Sequence, residues 1–212
     1  VIRISAPGKM MIAGEYAVLH GRRALVAAVD RRVLLTFAVD GSKDSSDDSR
    51  GRAGLPPEAA VARKVAEARL GEVPGTMSLD VSHLRSQSGA QKLGLGSSSA
   101  AAVAAAAAVH AFHGRDVTNA EARREILADA MRGHHQVAPQ GSGADVAAAT
   151  LGGITIYRRE AERFDAAPSA LPEGVVCRVA WTGKEARTSE LVHSVAQLRD
   201  RAPAEHDAAI AR

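Results

Sequence analysis

Three short segments of this 212-residue chain carry the residue types that phosphate chemistry uses. The first is KLGLGSSSAAAV, residues 92–103, where glycines and serines run straight into alanines. Gly disfavours helix by about 1 kcal/mol relative to Ala, so the switch at Ser97–Ala100 predicts a glycine-rich loop entering a helix N-terminus. Such a terminus exposes unpaired backbone N–H groups and partial positive charge, which suits a phosphate. Alone, the segment reads as an ordinary capped helix. The second, APGKMMIAGEYAVLHG (6–21), sets Lys9 just after a Pro-Gly turn and Glu15 just after Gly14. The third, GSGADVAAATLGG (141–153), sets Asp145 at the mouth of a short helix between glycine-rich turns. Together they supply a helix N-terminus, two lysines (Lys9 and Lys92), serines and a carboxylate.

Competing motifs fail on context. Gly94-x-Gly96-x-x-Ser99 imitates a dinucleotide fingerprint, but the preceding SQSGAQKL is polar where that motif needs a buried strand. No segment matches the Walker P-loop. A serine nucleophile wants a G-x-S-x-G elbow, and GLGSS puts two serines after its second glycine. The pairs His134-His135 and His110 with His113 have no cysteine or acidic cluster beside them, which weighs against a metal centre.

The elements that must position these residues follow from pattern. Residues 1–5 read as a strand ending at APGK, and 24–40 as two strands around Asp30-Arg31-Arg32. The stretch 40–54 has no apolar residue before Ala53 and reads as a solvated loop. A helix follows Pro56-Pro57 to Leu70 with Val61, Val65 and Ala68 on one side; 76–83 alternates like a strand. After the Ala-rich helix, Thr118 to Glu121 has capping-box spacing and opens a helix to about His134. ITIYRRE and VVCRVAW read as strands, and TSELVHSVAQLRDR as an amphipathic helix with Leu191, Val195 and Leu198 at helical spacing. Strands and helices alternate irregularly, so the class is α+β or α/β.

Composition narrows the partners. Net charge is +3, with 27 basic against 24 acidic residues and no basic run or aromatic-interleaved stripe, so no nucleic-acid partner is expected. Only five basic residues are lysines, which singles out Lys9 and Lys92. Cys177 is the only cysteine, so no intrachain disulfide can form. No signal peptide or membrane span is recognisable, and the chain reads as soluble and cytoplasmic.

The three segments resemble the GHMP kinases, which hold ATP on a glycine-rich loop unrelated to the Walker type. APGKMMIAGEYAVL is similar to their first motif and GLGSSSAAA to their second. The resemblance implies an α+β fold: an N-terminal ATP-binding domain of mixed sheet and helices over 1–170, and the beginning of a second α+β domain over 171–212. Their third motif, a late glycine-rich loop, is missing, so the sequence reads as C-terminally short. Within the family, Lys92 before LGLGSS and the stretch WTGKEARTSELV (181–192) resemble the phosphomevalonate kinases. Mevalonate kinases usually carry a magnesium-binding Glu eleven residues before the Asp, a position held here by His134.

That resemblance implies ATP-dependent phosphoryl transfer to 5-phosphomevalonate, with ATP and Mg2+. Gly94, Leu95, Gly96, Ser97, Ser98 and Ser99 would hold the triphosphate, with Ser98 the magnesium ligand. Lys9 and Lys92 would face the transferring group and the acceptor. Asp145 would serve as base, or orient Lys9 or magnesium. Glu15, His20, Ser142, Gly143, Arg187, Thr188 and Ser189 would meet the acceptor, although Thr188 also sits where a helix N-cap belongs. The alternatives are mevalonate or another small acceptor, or a noncatalytic member that binds nucleotide or phosphometabolite. Oligomeric state is not readable from the sequence.

Overall fold

A computed structural model describes residues 1–39, 54–161, 163–183 and 188–211. The polar stretch expected as a loop at 40–54 lies almost wholly outside these, as does Arg187. A sheet of five strands carries a layer of four helices. The strands are β1 (Ile2–Ala13), β2 (Arg23–Val39), β3 (Gly75–Asp80), β4 (Ile154–Glu160) and β5 (Arg163–Ser169). The helices are α1 (Pro57–Leu70), α2 (Ser97–Phe112), α3 (Ala120–Val137) and α4 (Ala144–Leu151), followed by α5 (Thr188–Arg201) and α6 (Pro203–Ala211). The class is α+β, and the sheet is antiparallel in every pairing among the described residues rather than mixed.

The long strand β2 organises the sheet. Its first part pairs with β4, its last part with β3, and its other edge with β1. Ala24 and Val26 are buried in its first half, but Val33, Leu35 and Phe37 in its second. Alternation therefore changes phase between the halves, which needs an irregularity in the ladder. The register supplies it: Pro7 pairs with Arg32 and Lys9 with Ala28, so Gly8 alone faces Val29, Asp30 and Arg31. The sequence reading placed a break here and counted two strands. The chain instead bulges and continues. Nor does β1 stop at APGK, because Pro7 sits on the edge strand beside the bulge, where a missing N–H is tolerated.

Helix α2 lies at the centre of the helical layer, against α1, α3, α4, β1 and β2. All residues from Ser99 to His110 are buried. Ala side chains allow neighbours to approach from every direction. Accordingly α1 buries Ala59, Ala62 and Ala66, while Val61 and Val65 are only half-buried and Ala68 is exposed, contrary to the expected stripe. A Cβ on Gly133 of α3 would lie 2.6 Å from Ala62 Cα, so the small residues set how closely these helices approach.

Two further expectations are corrected. Asn119, not Thr118, caps α3, accepting from the Ala122 N–H at 2.8 Å, while the Thr118 hydroxyl donates to Asp116 at 2.6 Å. VVCRVAW is not a strand, because no strand among the described residues pairs with it; the partner of β4 is β5. Val176 and Val179 are consequently exposed. No helix among the described residues is long and apolar enough to cross a membrane.

The far end of α2 is held by charge. Buried His110 donates from Nε2 to Asp129 Oδ2 at 3.0 Å, and Arg69 reaches the same carboxylate at 2.7 Å. Burial pushes the Asp129 carboxyl up, but the His110 and Arg69 hydrogen bonds outweigh it and hold the group below its ordinary value of 3.8. The stabilisation is therefore complete above the unfolded-state value and is lost as pH falls through the lower folded-state one. Asp129→Ala leaves Arg69 its ion pair with Glu125 but removes the partner of the buried His110 imidazole, and is expected to lower unfolding free energy by about 1–3 kcal/mol in urea melts at pH 7. The difference from wild type should shrink below about pH 4 as protonation removes the same carboxylate charge.

Candidate functional site

The site is built where Gly8 and Lys9 of β1, opposite the β2 bulge, meet the start of α2. Residues 84–93 fold back on themselves through bonds from Leu93 N to Leu84 O (3.0 Å) and Ser86 N to Gln91 O (2.9 Å). The chain then turns into α2 through Gly96, whose φ of +72° is left-handed and suits a residue without a Cβ. No side chain caps this helix. The N–H groups of its first turn, at Ser97, Ser98 and Ser99, have no carbonyl four residues back within the helix to bind.

Lys9 is tied to this loop twice. Its N–H donates to Leu95 O at 2.8 Å. Its aliphatic stem lies across Gly96, where an added Cβ would come within 2.9 Å of Lys9 Cγ. Gly8 makes the first contact possible, since a Cβ there would stand 2.7 Å from Leu95 O and 2.7 Å from Leu84 Cδ2.

Asp145 arrives from the opposite side, in the first turn of α4. Buried Ser99 donates its hydroxyl to Asp145 Oδ2 at 2.6 Å, and Val146 N–H donates to Oδ1 at 3.0 Å. The turn before α4 is anchored to β4: the Tyr157 hydroxyl donates to Ser142 O and the Arg159 guanidinium to Gly141 O, both at 2.5 Å. Burial pushes the Tyr157 phenol up; Arg159 opposes this and the Asp145 charge adds to it. The phenol therefore stays protonated as a donor.

Two hollows flank the loop. A cleft of about 850 Å3 is lined by Lys9, Glu15, Gly94 and Leu95, and also by Asp30, Arg31, Arg85 and Trp181. A smaller hollow of about 180 Å3 is lined by Lys92, Ser97 and Ser98. The structure thus brings Lys9 and Glu15 together on one side of the loop, and Lys92, Ser97 and Ser98 on the other. Ser99 turns inward to Asp145, and Ser142 and Gly143 form the turn before it. His20 does not face the cleft; its ring packs edge-on against His206 of α6 at 4.9 Å. Thr188 and Ser189 begin α5, their side chains outside the described residues. Arg31, Arg85, Tyr157 and Trp181 escaped the sequence reading. The break it placed at Asp30-Arg31-Arg32 and the stretches ITIYRRE and WTGKEARTSELV contain Arg31, Tyr157 and Trp181 without singling out those side chains.

The model of the GHMP kinases N terminal domain matches residues 60–153, which include α2, the loop before it and Asp145. A mevalonate kinase of Aeropyrum pernix is 36% identical over 215 residues, covering 93% of this chain and 62% of its own length. A phosphomevalonate kinase of Streptomyces sp. (strain CL190) is 30% identical over 255 residues, covering 95% of this chain and 67% of its own length. The chain belongs to the GHMP kinases. This GHMP kinase chain thus spans about two thirds of the length of these relatives. Its fold also matches the crystallised Streptococcus pneumoniae phosphomevalonate kinase in complex with phosphomevalonate and AMPPNP. That match has a TM-score of 0.68 at 19% identity and covers 93% of this chain and 68% of the other.

In this GHMP kinase, substitutions at Gly8 and Gly94 separate contact from conformation. Nothing lies within 4 Å of a Cβ at Gly94, whose φ is +75°, so Gly94→Ala meets only left-handed strain of about 1–2 kcal/mol. Gly8→Ala meets backbone and must separate β1 from the loop, at about 1–3 kcal/mol. Hydrogen exchange should show the Lys9 amide losing protection in Gly8→Ala while keeping it in Gly94→Ala.

Proposed function

We propose that this GHMP kinase transfers the γ-phosphoryl group of ATP to a small acceptor of the mevalonate pathway, and that the acceptor is 5-phosphomevalonate. The observation that carries the reading is the uncapped start of α2 set between Lys9 and Asp145. In that arrangement the first-turn N–H groups hold phosphate oxygens, and Lys9 and Lys92 add compact positive charges from either side of the loop. Phosphoryl transfer asks the protein for positioning and charge neutralisation, and these residues supply both.

Magnesium fits the oxygen donors present. Among the described residues no three His, Cys, Asp or Glu side chains cluster to hold a metal. Mg2+ is commonly bound through one or two protein oxygens with substrate phosphates completing its shell, and here Ser98 and Asp145 are the candidate ligands. When bound, the ion neutralises charge on the β- and γ-phosphates. The protein's own contribution is to fix the donors: Ser99 and the Val146 N–H hold the Asp145 carboxylate in place.

The acceptor sets what Asp145 must do. A phosphate monoester has its second pKa near about 6 and is largely ionised at neutral pH, so Asp145 orients its neighbours rather than taking a proton. An alcohol acceptor such as mevalonate must lose a proton, and Asp145 would then act as base. Phosphomevalonate is supported by the two arginines of the cleft, beyond Lys9, and by an imidazole at His134 in place of the carboxylate usual in mevalonate kinases. Mevalonate is the second reading, supported by the 36% identity to the Aeropyrum pernix enzyme.

ADP formation with ATP and Mg2+, measured on each acceptor separately in the intact protein, tests this reading. Turnover confined to phosphomevalonate is the expected result. Turnover confined to mevalonate replaces the acceptor, and ATP binding without turnover on either returns the noncatalytic reading. On the productive acceptor, Asp145→Asn is expected to lower kcat on the order of 10–100-fold with little change in KM. An unchanged kcat removes Asp145 from the mechanism.

A further inference from the structure

The bulge that reshapes β2 also re-aims its side chains. In a regular strand neighbouring residues point to opposite faces, so Asp30 and Arg31 would part. Opposite Gly8 they do not: Val29, Asp30 and Arg31 all line the 850 Å3 cleft, with Lys9 on the facing strand. Arg85 enters the same cleft from the loop before α2, and also borders the smaller hollow beside Lys92, Ser97 and Ser98. Each guanidinium is pinned by one hydrogen bond to a backbone carbonyl of this same region. Arg31 Nη1 donates to His83 O at 3.1 Å, and Arg85 Nη1 to Gly89 O at 3.0 Å. A guanidinium has five N–H groups, so one such bond orients the fork and leaves most of its donors unspent.

Neither arginine forms an ion pair among the described residues, whereas Arg63, Arg69 and Arg115 each meet a carboxylate. Carboxylates are within the cleft, at Glu15 and Asp30, yet the three cations Lys9, Arg31 and Arg85 outnumber them. Two guanidiniums oriented in this way, without an ion pair among the described residues, bring positive charge to the cleft wall. Their planar forks match the oxygens of a carboxylate or a phosphate, which they bind through paired hydrogen bonds. The cleft volume lies in the range that holds a small metabolite.

We propose that Arg31 and Arg85 form an oxyanion clamp for the acceptor, on the Lys9 side of the loop that leads into α2. This rests on the reading of the chain as a small-acceptor kinase. Phosphomevalonate offers the clamp two oxyanions, its phosphate and its carboxylate; mevalonate offers only the carboxylate. The clamp holds the acceptor while Lys9 faces the transferring group.

The test is equilibrium binding by calorimetry on the intact protein and on Arg31→Ala, Arg85→Ala and Arg31→Lys. The probes are phosphomevalonate, mevalonate and a nonhydrolysable ATP analogue. Each alanine variant is expected to weaken phosphomevalonate about 10-fold or more while binding the ATP analogue within about twofold of wild type. Arg31→Lys should recover only part of the loss, since an ammonium cannot make the paired contact. An equal loss for mevalonate assigns the clamp to the carboxylate, and a loss for phosphomevalonate alone assigns it to the phosphate. Acceptor binding unchanged in the variants, or a parallel loss of the ATP analogue, overturns the clamp while leaving the kinase reading in place. Wild-type protein that binds neither acceptor overturns both.

Discussion

The first two strands and the helical layer are arranged around a helix that has no outside. From Ser99 to His110 every residue of α2 is buried, so neighbours must cover it on all sides. A helix satisfies its own backbone in the middle, but its two ends cannot. Those ends are where polar chemistry is forced to appear. At the C-terminal end the solution is structural, with His110 and Arg69 both held by the Asp129 carboxylate. At the N-terminal end no side chain caps the helix, and Ser97, Ser98 and Gly94 line the hollows. Core and candidate site are thus two ends of one object.

The sheet answers the same constraint from below. A uniform β2 would bury one face along its length and leave no place for the loop. The phase change between Val26 and Val33 resolves this, since one glycine opposite three residues bends the ladder at the height of Leu95. Lys9 can then serve at once as a strand residue and as a prop for the loop. The turn before α4 is fixed by a longer-range device, the buried Tyr157 hydroxyl and the Arg159 guanidinium, both from β4. Three segments distant in sequence are therefore located by separate anchors.

Much of this could be read from residue order. The Gly-to-Ala switch gave α2 and its open end, and the glycines around Asp145 gave the turn and short helix that present it. What could not be read depended on partners. The irregularity around Asp30 was visible, but whether the chain breaks or bulges is decided by Gly8 across the ladder. The stripe on α1 was misread because α2 offers a surface of alanines, against which small residues pack more closely than valines. VVCRVAW has strand-forming residues and no strand to join among the described residues. Nor could the motif around His20 show that its ring packs against His206, nearly two hundred residues away. The roles of Ser98 and Ser99 diverge for a reason of phase: successive helical residues are about 100° apart, so one faces the hollow while the next meets Asp145.

The wall of the large cleft has a property of another kind. Trp181 is the only tryptophan of the chain, and it is 43% exposed at the cleft margin. Indole emission responds to local water and to nearby charge, and no second indole dilutes it here. The protein thus carries its own optical reporter at the cleft, without any label being attached. Occupancy by a small anion, a domain neighbour or bulk solvent would each give this one fluorophore a different surrounding.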